Sequence, residues 1–204
     1  MAPRKHVDKM ADGHKRMFGE APKQTVLSPL EKGDHPELDD SDFLDEKGIR
    51  QYHSLLGSMQ WAVSLAHLNI AMAVMTLASF CPMPRIGHLD RAKQVVGFLA
   101  KMKHGVLRFR TAEPDFSDLP EQDFDWAHSV CGDVEEMKDD SVPPPLGACA
   151  QLCHCVDANL CHDLVTGRSV TGILHFANQT LLDWCTKKQA AVETAMCGSE
   201  FVAS

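Results

Sequence analysis

Between residues 49 and 104 the apolar positions recur every three or four residues. Ile49, Tyr52, Leu55, Leu56 and Met59 share one face of a predicted helix. A second apolar run covers Ile70 to Phe80, and Cys81-Pro82-Met83-Pro84 ends it, because a residue before proline avoids the helical region. A third helix fits Ile86 to Lys103, with Ile86, Leu89, Val96, Leu99 and Met102 near one face and Gly105 placed as a C-cap. Val106-Leu107-Arg108-Phe109-Arg110 then alternates apolar and basic residues, which predicts a strand.

The period changes beyond residue 150. Gln151–Val156, Ser169–Phe176 and Thr180–Cys185 are short strand-like pieces, separated by turn-rich stretches at Asn159–Arg168 and Ala177–Gln179. Such close spacing predicts an antiparallel meander. Ala190–Ala203 reads as a helix. The flanking segments lack a period. Residues 1–48 are broken by Pro22, Pro29, Gly33 and Pro36, are acidic over 37–46, and are expected to be extended or disordered. Residues 111–149 are acidic and contain Pro143-Pro144-Pro145, as a linker would. The expected class is therefore α+β: a lead-in (1–48), a helical region (49–110), a linker (111–149) and a strand-rich unit (150–204).

Charge and cysteine content narrow the classes. A formal charge of −8 argues against an autonomous grip on nucleic acid, although a local basic patch stays open. Eight cysteines would suit a secreted disulfide scaffold, yet residues 1–20 hold no apolar signal segment. The most apolar run, Leu65 to Phe80, carries His67 and Asn69 and is too short to span a bilayer. The expectation is a soluble, intracellular chain with reduced thiols, neither secreted nor membrane-bound.

Asp157 closes a strand-like piece, where a carboxylate can project toward a metal or simply form a turn. Glu200 lies in the last helical piece and reads as a second carboxylate or as an exposed surface residue. Glu193 precedes it by two helical turns and could share its face. Cys149, Cys153, Cys155 and Cys161, with His154 and His162, offer zinc-ligand chemistry. Their spacing lacks a C-x2-C knuckle and a second paired half, which favours small half-buried cysteines over a zinc site. Lys187, Lys188 and Arg168 suit either phosphates or solvent. Met59, Met72, Met75, Met83 and Met102 read as fillers of core gaps.

Several stretches together resemble the Pol polyprotein of copia-type LTR retrotransposons. Val26-Leu27-Ser28-Pro29-Leu30 is similar to that family's V-S-T-P-L, and Tyr52-His53-Ser54-Leu55-Leu56-Gly57-Ser58-Met59 to its Y-x-S-L-x-G-S-L. Ile70-Ala71 and His88 to Leu99 continue the likeness. Cys155-Val156-Asp157-Ala158-Asn159 resembles Y-x-D-A-x, and Arg168-Ser169-Val170-Thr171-Gly172 resembles R-S-T-S-G. Trp184-Cys185-Thr186-Lys187-Lys188-Gln189 resembles W-x-S-K-K-Q, and Ser199-Glu200-Phe201-Val202-Ala203 resembles A-E-Y-x-A. The motifs keep the family's order over roughly residues 25–204. Asn69, where the family usually has Asp, and Cys155, in place of an aromatic, depart from the pattern.

The resemblance implies a reverse-transcriptase tail over 49–110 and the start of a ribonuclease H-like fold over 150–204. It implies Asp157 and Glu200 as ligands of Mg2+ or Mn2+, which in that family cut the RNA of an RNA–DNA hybrid by two-metal hydrolysis. The implied partners are the hybrid and the rest of the Pol polyprotein. The family's next Asp, in a D-N stretch, falls past Ser204, and no Tyr-x-Asp-Asp polymerase motif accompanies Asp39-Asp40 or Asp139-Asp140. The expectation is a truncated fragment, inactive alone. The alternative is a small zinc-binding or interaction module built on the cysteine cluster.

Overall fold

The computed structural model describes residues 3–105, 107–115, 117, 141, 143, 147 and 150–203. Most of the expected linker, Val106, Asp139-Asp140 and Cys149 lie outside the described residues.

The chain is α+β, with helices first and an antiparallel sheet after them. Helix α1 runs Pro3–Phe18, α2 Glu46–Ser64, α3 Ala71–Ala78 and α4 Ile86–Lys101. Asp45 starts α2 as its N-cap, its carboxylate accepting the Gly48 N–H at 2.7 Å. The predicted face of α2 is the buried one, with Tyr52, Leu55, Leu56 and Met59 all at most 5% exposed. These residues pack with Val7 and Met10 of α1, Val74 and Leu77 of α3, and Leu89, Val96 and Leu99 of α4 in one core. The Tyr52 hydroxyl donates to the Leu77 carbonyl at 2.7 Å, so the core's one fully buried phenol is satisfied.

Five expectations are corrected. Residues 1–48 are not extended throughout, because Pro3–Phe18 is helical. Val7, Met10, His14 and Met17 recur at three- and four-residue steps, and dense charge on the other face hides that period. Gly105 does not cap α4: Met102 occupies that position, its N–H bonded to the Phe98 carbonyl, and Gly105 packs against the His67 ring. Leu107 to Arg110 form no strand; Arg110 instead exchanges two hydrogen bonds with the Thr180 hydroxyl, at 2.8 and 2.9 Å. The final helix starts at Met196 rather than Ala190. Among the methionines, Met59 fills the core, whereas Met83 and Met102 stand exposed.

The strands are β1 (Leu152–Asn159), β2 (Val170–Ala177) and β3 (Thr180–Lys188), in the order β1-β2-β3 and antiparallel throughout. The meander is as the spacing predicts. Asn178 turns the β2–β3 hairpin in a left-handed conformation (φ 51°), one that Asn tolerates better than most residues. Helix α5, Met196–Ala203, follows and packs on β1.

Candidate carboxylate site

Side chains alternate across a strand, so the register sorts this sheet into two faces. Asp157 pairs with Gly172, and Gly172 pairs with Thr186. Cys155, Leu174 and Trp184 form the neighbouring row on that face. Trp184 packs against the helical core, so this face looks toward the helices. A cavity of about 220 Å³ opens between them, lined by Leu68, Ala71, Cys155, Asp157, Gly172 and Trp184 among others. A Cβ at Gly172 would meet nothing within 4 Å, so the flank of Asp157 is open at that point.

The opposite face carries Ala158 and Thr171, which pair with each other and are both buried. Gln189 ties this face to α5. Its amide donates to the Thr171 hydroxyl at 3.0 Å and to the Ser199 carbonyl at 2.7 Å. Ser199 and Ala203 are the buried residues of α5, and Glu200 beside them is exposed.

The structure thus places Asp157 within β1, on the cavity side, and Glu200 on the helix that covers the other side. Both are exposed. Glu193 lies before α5 and shares no helical face with Glu200; its carboxylate rests against Gly198. Carboxylate oxygens are the right donors for Mg2+. Yet among the described residues no three His, Cys, Asp or Glu side chains are grouped to hold an ion. This arrangement does not fit a two-metal centre.

The cysteines are likewise dispersed. Cys153 and Cys155 share the cavity face of β1, Cys185 points to the other face, and Cys161 lies in the β1–β2 turn with φ 50°. His154 is on the face opposite Cys153 and Cys155, as strand alternation predicts. Lys188 is not free for phosphate: it donates to the Asp163 carboxylate at 2.6 Å.

Asp163 is the well-built carboxylate of the strand-rich unit, and it is not among the candidates drawn from the sequence. Its Oδ1 accepts the Val165 and Thr166 N–H groups, each at 3.0 Å. Burial alone would raise its pKa, but Lys188 and the Thr166 hydrogen bonds overcome this and hold it down at about 2. Gly167, at φ 66°, completes the turn. The readable signal was an Asp followed four residues later by a turn glycine. A second inter-segment contact touches this loop: the Leu164 N–H donates to Glu37 at 3.0 Å, and His35 bonds the same Glu37 oxygen at 2.9 Å.

Comparison with known proteins returns no matching family model, curated protein or solved structure.

Proposed function

We propose that this chain is a piece of a copia-type retrotransposon Pol polyprotein, with residues 150–204 as the opening portion of a ribonuclease H-like domain. One observation carries the reading. The motif-bearing residues lie on a three-stranded antiparallel meander followed by a helix, with Asp157 on the first strand and Glu200 on the helix. That is the element order the family's ribonuclease H region would require. In the parent family the function is hydrolysis of RNA paired to DNA, assisted by Mg2+ or Mn2+. The chain by itself is inactive in this reading, because its two carboxylates sit on different sides of the sheet and, among the described residues, no third is grouped with them.

A cleavage assay on an RNA–DNA hybrid with Mg2+ or Mn2+ tests the inactivity. The full chain is expected to match its Asp157→Asn variant at background. Robust metal-dependent cleavage that Asp157→Asn abolishes would overturn it. The family assignment has its own test in genomic sequence. A coding remnant beyond Ser204 that reaches an Asp-Asn pair after one further strand supports it. Unrelated sequence on both sides of the gene argues against it.

A further inference from the structure

His154 and His175 are direct cross-strand partners on β1 and β2. Their rings meet edge-on, with centroids 4.7 Å apart and planes at 79°. The two Nδ1 atoms approach to 2.5 Å. Both lie on the sheet face that α5 covers at its far end, over Ala158 and Thr171, and this pair sits beyond that cover. A nitrogen-to-nitrogen contact joins one lone pair and one N–H, so a single proton is shared between two ring nitrogens aimed at one point.

We propose that His154 and His175 form a two-imidazole binding site for a late first-row divalent ion such as Ni2+, Cu2+ or Zn2+. Neutral imidazole nitrogen is a preferred ligand for these ions. The ion takes the place of the shared proton, which moves to an outward-facing Nε2, so both rings stay neutral and no charge is lost. A metal–nitrogen bond of about 2.0–2.1 Å puts two ligand nitrogens roughly 3.3 Å apart on a tetrahedral ion. Opening the pair from 2.5 Å to that spacing takes only a small rotation of the exposed His154 and half-buried His175 side chains. Strand pairing fixes their backbones, which removes much of the ordering cost of a chelate. Asp183 is the register partner of His175, but its Oδ1 accepts the Trp184 N–H at 2.8 Å. No third protein ligand is grouped with them among the described residues, so water completes the coordination. The site is distinct from Cys153 and Cys155, which project from the other face of β1.

Titrating the reduced full chain with Ni2+ tests this. The ring protons of histidine are followed by NMR, and bound metal is measured by equilibrium dialysis. The ring signals of His154 and His175 are expected to broaden first and together, with one ion bound. His154→Gln and His175→Gln should each weaken binding at least about tenfold, because either change destroys the chelate. Cys153→Ser with Cys155→Ser should leave it unchanged. Both histidines are accessible, so the variants are expected to keep the wild-type circular dichroism. Absence of saturable binding overturns the proposal. So does binding unaffected by both histidine variants, first broadening at other histidines, or loss of binding in the cysteine variant.

Discussion

Asp157 and Gly172 face each other across the β1–β2 ladder, and the glycine leaves the flank of the carboxylate open. Neither residue serves the strand well. Asp and Gly are both poor strand formers, and an exposed position gives Asp157 no burial to offset that. Asp157→Thr is therefore expected to raise stability by about 0.5 kcal/mol, and Gly172→Val by about 0.5–1 kcal/mol. Urea denaturation of the full chain reads both. A loss above about 1 kcal/mol in Asp157→Thr would mean that the carboxylate supports the fold rather than a site.

Gly97 and Gly57 make a contrasting pair of helical glycines. A Cβ at Gly97 would run into the backbone carbonyl of Lys23, where the segment after α1 crosses α4. That crossing is fastened by Lys101 Nζ to the Val26 carbonyl at 3.1 Å and by the Gln94 amide to the Ser28 carbonyl at 3.4 Å. At Gly57, on the exposed side of α2, nothing lies within 4 Å. Gly57→Ala should stabilise by up to about 1 kcal/mol through helix propensity alone. Gly97→Ala gains the same propensity and should still destabilise by about 1–3 kcal/mol through the clash. Equal effects of the two changes, seen in thermal unfolding, would show that the crossing yields freely.

One guanidinium of α4 binds two aspartates of the segment joining α1 to α2. Arg91 grips both oxygens of Asp34, at 2.8 and 2.7 Å, and one oxygen of Asp39, at 2.5 Å. Its side chain is 21% exposed and those of the aspartates 16% and 9%, so this cluster is partly shielded from water. Burial would raise the pKa of Asp39, yet Ser41 and Arg91 outweigh it and lower the value. Lysine keeps the charge but cannot present a planar fork to two carboxylates. Arg91→Lys is expected to cost about 1–3 kcal/mol. Its dependence on salt should be weak, because a shielded cluster is little screened. A loss below about 0.5 kcal/mol would place these contacts with ordinary surface pairs.

Legibility followed periodicity. Helices α2 to α4 are readable because one of their faces is buried and the apolar period survives, whereas the three strands are readable as short runs between turn-rich stretches, although β1 and β3 are largely exposed or half-buried. Helix α1 was masked by its own charge: Arg4, Lys5, Lys9, Lys15 and Arg16 crowd the narrow apolar stripe on which Val7 and Met10 are buried. The start of α5 was overextended because residues 190–195 are compatible with helix yet serve as the connection from β3. At the candidate site, sequence located Asp157 and Glu200 on the right types of element. It could not assign them to faces. Asp157 and Ala158 are adjacent and point oppositely, so which one meets α5 depends on a register that only the paired strands define. Asp163 escaped notice for a similar reason, since Lys188 reaches it from 25 residues away.

That Asp163–Lys188 contact makes a pH-dependent prediction. The carboxyl is lowered from an ordinary 3.8 to about 2 in the folded chain. The folded state therefore binds fewer protons than the unfolded one between these values. The resulting stabilisation is fully present above about pH 4 and disappears as the pH falls through about 2. Asp163 is 6% exposed, so screening takes little from a contribution on the order of 2 kcal/mol. Asp163→Asn retains an oxygen to accept the Val165 and Thr166 N–H groups but gives up the charge facing Lys188. Urea unfolding at a series of pH values should show the variant less stable than wild type at pH 6. The gap should stay constant down to about pH 4 and close toward pH 2. A gap that persists undiminished at pH 2 would assign the stabilisation to the shape of the turn rather than to its charge.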